Sequence, residues 1–186
     1  MASVHDDSML ERVRSTPPEA LGPLANQIRA DIAATTALNG GHLGAPLGVV
    51  EIALAVHHVF ESPRDRIVWD TGHQSYSHKI ITGRGALLRR LRKLGGASGF
   101  PCTNESEHDA FGTGHASTGI AAGFGLAASQ AESDRWVVVM IGDSALAGGP
   151  ALEALLQAKR LAHRMCIVVN DNGFSIMPSV APFADS

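Results

Sequence analysis

Two apolar runs with polar tips constrain this chain more than any other feature. Trp136 to Ile141 is unbroken apolar sequence that stops at Gly142-Asp143-Ser144-Ala145, and Met165 to Val169 stops at Asn170-Asp171-Asn172. Pro150 to His163, between them, reads as a helix. The result is a strand–helix–strand unit, and in an open parallel sheet ligands collect outside the carboxyl ends of the strands. Asp143 offers a carboxylate there and Asn172 a side-chain carbonyl. Both are hard oxygen donors of the kind that hold Mg²⁺, which favours oxygen and often bridges to phosphate. A plainer reading stands beside this one, in which Asp143 caps a helix and Asn172 occupies a turn.

Composition narrows the field. With 15 Lys and Arg against 18 Asp and Glu the chain is slightly acidic, which argues against a nucleic-acid partner. No apolar run approaches the roughly 20 residues of a membrane span. The acidic start, Met1 to Asp7, lacks the apolar region of a signal peptide. Two cysteines, Cys102 and Cys166, make no disulfide framework. Cys166 reads as a small core residue of its strand. The expected compartment is the cytoplasm.

Along the chain, residues 1–16 are polar and read as a flexible N-terminus, with one domain over 17–186. Pro17-Pro18 can open a helix, and Leu21, Leu24, Ile28 and Ile32 recur at helical spacing until Gly40-Gly41. A second helix is predicted from Leu47 to Phe60, with Val50, Leu54 and Val59 on its apolar side and Pro63 beyond it. Arg66 to Trp69 is a short strand ending at Asp70. Leu87 to Lys93 reads as a basic, solvated helix, and Gly95 to Thr113 as a functional loop. Ser117 to Gln130 is a helix rich in Ala and Gly, suited to close packing on a sheet or a subunit. The alternation predicts an α/β fold, a three-layer sandwich with a mainly parallel sheet.

Several motifs resemble, in order, the N-terminal domain of 1-deoxy-D-xylulose-5-phosphate synthase, a transketolase-like enzyme. Gly142-Asp143-Ser144 followed by Asn172 is similar to the thiamine-diphosphate motif. Gly40-Gly41-His42-Leu43-Gly44 resembles the first histidine loop and Trp69 to Lys79 the second. Glu105 to Asp109, Gly114-His115-Ala116-Ser117-Thr118 and Ser175 to Val180 follow in sequence. The resemblance runs from about Pro18 to Val180 and implies a thiamine-diphosphate-binding fold.

The resemblance also implies roles. Asp143, Asn172 and the main-chain carbonyl of Phe174 would hold Mg²⁺. Gly142, Ser144, Ala145 and Ile176 would line the cofactor, with backbone N–H groups turned to the diphosphate. His42 and His73 would bind it and move protons, since imidazole exchanges protons near neutral pH; His115 would lie on the phosphate side. His5, His57, His58 and His163 read as structural or exposed, while His78 and His108 are left open. Two departures stand out. Ser144 replaces a glycine, adding either crowding or a hydrogen bond, and Cys102 lies where a basic residue is usual.

In this family a glutamate of a second, pyrimidine-binding domain activates the cofactor, and that domain is expected to be absent from this chain. The expected partner is therefore a separate pyrimidine-binding transketolase-like subunit in an α₂β₂ heterotetramer, acting on a small-molecule substrate with pyruvate as a donor. Two other readings are carried. One is a non-catalytic interaction or regulatory protein, or an inactive fragment, that keeps the fold. The other is a nucleotide-binding α/β protein, although Gly148-Gly149 has no GK[ST] behind it.

Overall fold

The computed structural model describes residues 8–130, 132–157 and 164–172. The chain divides into two compact units, Met1–Glu61 with His73–Phe100 and Ser62–Gly72 with Pro101–Ser186.

The first unit is helical. Ser8–Ser15 forms α1, although its polar composition predicted a loosely ordered segment. The reason is local amphipathicity: Leu10 and Val13, three apart, fall on one face and are buried. After a 3₁₀ turn at Pro18–Ala20 comes α2, Gly22–Asn39, whose Leu24, Ile28 and Ile32 are buried as their spacing predicted. Gly40 ends it at φ 71°. A single turn, α3 (Gly44–Leu47), precedes α4, Val50–Val59. Val50 and Leu54 are in the core, but Val59, expected there, is 67% exposed in the last turn. Tyr76–Lys79 makes α5, and a wide kinked turn, Ile80–Arg84, joins it to α6, Gly85–Leu88. Helix α1 packs on α4 and on this turn, and α2 and α5 also pack on α4. Ile28, Ile32, Leu54, Ile81 and Leu88 form much of the core, each contributing about 1.5–3 kcal/mol of burial.

The predicted basic helix from Leu87 to Lys93 stops at Leu88. Backbone bonds explain it. The Ala97 N–H donates to the Leu87 carbonyl and the Arg92 N–H to the Ala97 carbonyl, while Arg92 itself adopts φ 61°. The glycine-rich stretch behind it folds back and competes with the helical ladder.

The second unit is α/β. Strands β1 (Arg66–Asp70), β2 (Val137–Gly142) and β3 (Met165–Asn170) form a parallel sheet in the order β1-β2-β3. Asp70 pairs with Ile141, and Gly142 with Asn170. Helix α7, Gly119–Ser129, packs on all three strands. It lies close because Gly123 has no side chain: a Cβ there would stand 2.5 Å from Val139 Cγ2. Ile120 and Phe124 join Val68, Val139 and Ile141 in the core. Two helices follow β2. The single turn α8, Asp143–Leu146, was not anticipated, and α9, Gly149–Gln157, covers the first part of the predicted Pro150–His163 helix; residues 158–163 lie outside the described residues. Cys166 is half-buried, not a core residue.

Among the described residues, no helix is long and apolar enough to cross a membrane.

Candidate active site

In the first unit, the two histidines assigned to proton transfer are neighbours. His42 follows α2 and two glycines in left-handed conformations, Gly40 and Gly41. His73 sits in a 3₁₀ turn, Gly72–Gln74, just before α5. Their rings lie 4.5 Å apart, tilted by 33°, and Phe100 meets His42 edge-on at 6.4 Å. Arg92 donates from Nη2 to His42 Nδ1 at 3.3 Å. The left-handed backbone at Arg92 is part of the turn that displaced the predicted helix.

The charge balance keeps both rings neutral. His73 is pushed down to about 4, first by burial and then by the neighbouring His42. Loss of hydration, then the Arg92 guanidinium, hold His42 below its ordinary value. A charged imidazole is costly beside a second imidazole or a cation. At neutral pH both rings can therefore accept protons, as a general base must.

Three further histidines of this unit are tied into its packing. His57 is fully buried; its Nδ1 pairs with the Ala53 carbonyl at 2.7 Å and its Nε2 with Nδ1 of the equally buried His78 at 2.8 Å. His58 pairs through Nδ1 with the Val13 carbonyl.

In the second unit, the strand tips carry the expected oxygens. Asp143 follows β2 and opens α8, while Asn172 lies two residues past the end of β3. Because Gly142 and Asn170 are register partners, the two residues leave adjacent strands at the same edge of the sheet. Asp143 does not cap its helix. Gly142 occupies the N-cap position and no side-chain cap bond forms. Asp143 is only 3% exposed, and its Oδ2 has no hydrogen-bond partner among the described residues. A buried carboxylate oxygen without a donor is costly, and a cation at that oxygen removes the cost. Asn172 is exposed. No group of three His, Cys, Asp or Glu side chains is assembled for a metal among the described residues. A cation here would depend on Asp143, an amide, main-chain oxygens and the ligand itself, as Mg²⁺ sites commonly do.

The remaining site residues divide. The Ala145 methyl is packed in the core, so only its backbone can face a ligand. Ser144 is half-buried. His115 is exposed, with Nδ1 3.0 Å from the Ala116 carbonyl. Phe174 and Ile176 lie outside the described residues, as do His5 and His163. His108, left open by the sequence, is buried against Ser62 Oγ at 2.9 Å.

Sequence reasoning missed Asp70 as a determinant of this region. Its Oδ1 accepts the Ser117 N–H at 3.0 Å and its Oδ2 the Gly119 N–H at 2.8 Å. Ser117, at φ 70°, in turn packs so tightly that a Cβ on Gly148 would stand 2.0 Å from its Oγ. Asp70 thus fixes the loop that carries His115 and seats it against the end of the segment opened by Asp143. Burial pushes the Asp70 carboxyl up, and the two N–H groups pull it back down in part. The available signal was position: Asp70, like Asp143, ends an apolar strand. Arg92 gave no such signal, since it read as one of several solvated arginines.

Comparison with known proteins identifies the family. The family described as 1-deoxy-D-xylulose-5-phosphate synthase matches residues 4–186. A 1-deoxy-D-xylulose-5-phosphate synthase of Dehalococcoides mccartyi is 50% identical over 163 residues, which is 87% of this chain and 26% of that protein. The one of Desulforudis audaxviator is 51% identical over 179 residues, 95% of this chain and 28% of that protein. One from Geobacter sulfurreducens is 48% identical over 174 residues, 92% of this chain and 27% of its own length. The chain thus spans about a quarter of the length of the curated relatives it matches.

Proposed function

The chain belongs to the 1-deoxy-D-xylulose-5-phosphate synthase family, and on that premise we propose that it is the diphosphate-binding part of a thiamine-diphosphate-dependent, transketolase-like transferase. The observation that carries this reading is the buried Oδ2 of Asp143 at the end of β2, which has no hydrogen-bond partner among the described residues. Asp143 and Asn172, with the main-chain carbonyl of Phe174, would hold Mg²⁺. The backbone of Gly142, Ser144 and Ala145 would face the diphosphate, with His115 on the phosphate side and Ile176 against the cofactor. Thiamine diphosphate supplies, when bound, the carbon nucleophile for cleaving a C–C bond in a 2-oxo acid or ketose. Pyruvate is the proposed donor.

His42 and His73 are the proposed proton acceptors. Their depressed basicity keeps them neutral and ready to take a proton from a hydroxyl group. The pyrimidine-binding half is supplied either by further sequence on the same polypeptide or by the separate subunit that the sequence suggested. The greater length of the relatives favours the first. The small-residue face of α7, with exposed Ala121, Gly125 and Ala128, remains a candidate contact in an α₂β₂ arrangement.

Calorimetry of thiamine diphosphate binding, with and without Mg²⁺, tests the reading on the chain joined to its pyrimidine-binding half. Binding should require Mg²⁺ and weaken by about 100-fold, or ~2.7 kcal/mol, in Asp143→Asn. Equal affinity in the parent and the variant would overturn it.

A further inference from the structure

Tyr76 is a wholly buried phenol at the first position of α5. It stands three residues after His73 on one continuous segment, Gly72–Lys79. Its hydroxyl reaches across to the other histidine loop and accepts the backbone N–H of His42 at 3.4 Å. The contact with that loop is tight. Gly41 adopts φ +125°, and a Cβ there would stand 3.0 Å from both Tyr76 Oη and Leu91 Cδ2. The first histidine loop therefore rests against the phenol on one side of Gly41 and receives a hydrogen-bond acceptor from it at the next residue.

From this geometry we propose that Tyr76 is a positioning residue, whose hydroxyl fixes the backbone at His42 against the segment carrying His73 and so sets the separation of the two imidazoles. The significance for proton transfer rests on the function proposed above; the positioning itself does not. A phenylalanine would fill the same volume and leave the His42 N–H without that acceptor, so the hydroxyl and not the ring bulk is the group in question. The His42–His73 spacing of 4.5 Å is also what lets His42 lower the basicity of His73.

The test is Tyr76→Phe in the full chain with isotopically labelled histidines, followed by NMR over a pH series without cofactor. In the parent protein the two imidazoles should show a mutual nuclear Overhauser effect, and His73 should titrate near 4. In the variant that cross-peak should be lost and the His73 midpoint should rise, because the repulsion from His42 weakens while the burial of His73 remains. An unchanged cross-peak and midpoint in folded Tyr76→Phe would overturn the proposal. Should that variant not fold, Gly41→Ala displaces the same loop from the phenol: the same upward shift supports the proposal, and its absence sinks it. A shifted titration with undiminished turnover would instead refute the catalytic role of the histidine pair and leave the positioning intact.

Discussion

Asp70 and Asp143 are both buried, and each closes the carboxyl end of a strand in one parallel sheet. By sequence they look alike. In the fold they differ in what their oxygens meet. Both oxygens of Asp70 accept backbone N–H groups, from Ser117 and Gly119. Asp143 keeps a buried oxygen with no hydrogen-bond partner among the described residues. The first carboxylate is consumed in holding a loop. The second bears a desolvation cost that no donor among the described residues offsets, which is what the proposed cation-holding role calls for.

The same substitution at both positions is the sharpest way to break this comparison. Asp70→Asn should destabilise the protein by about 3 kcal/mol, because an amide NH₂ would face a backbone N–H where a charged acceptor stood; urea denaturation measures it. Asp143→Asn should change stability by no more than about 0.5 kcal/mol, with its cost appearing in Mg²⁺-dependent binding alone. Equal destabilisation by the two variants would abolish the distinction. Gly119→Ala attacks the Asp70 side from its partner, since the new Cβ would stand 2.7 Å from Asp70 Cβ. It should cost about 1–3 kcal/mol by overpacking, read as a lower urea midpoint.

A titration extends the contrast to the histidine cluster. His73 is neutral in the folded chain down to about pH 4, whereas the unfolded side chain takes up a proton near its ordinary value of 6.5. The unfolded state therefore binds more protons between these limits, and this group's contribution to stability falls as pH drops from about 6.5 to about 4, then levels off. His73→Gln should flatten that part of the stability–pH curve. The smallest effect is expected at the surface. Arg29 and Glu51 form an ion pair between α2 and α4 with both side chains partly exposed, and Glu51→Gln should cost under about 1 kcal/mol, less at high salt.

The parallel sheet was legible from runs such as Val137 to Ile141 because a strand buried on both faces needs unbroken apolar sequence. Helix α2 was legible through Leu24, Ile28 and Ile32 because a helix buries one stripe. The failures have a common physical cause. The basic stretch after Leu88 has good helix formers, yet backbone bonds to Ala97 terminate the helix. Val59 fits the apolar period but falls in the last turn of α4, where the core no longer reaches it. Ser8–Ser15 is polar overall, and two well-spaced apolar residues were enough to dock it.

Residue order alone determined the chemistry available at the strand ends and in the histidine loops, since motif spacing is a property of the chain. Tertiary structure decided which members of that inventory are satisfied and which are left waiting. Asp70 was sealed by amides from a loop 47 and 49 residues away in sequence, and Arg92 was brought to His42 across 50 residues. Hydrogen bonds and desolvation depend on distances in space, and no local pattern in a sequence encodes a partner that arrives from so far along the chain.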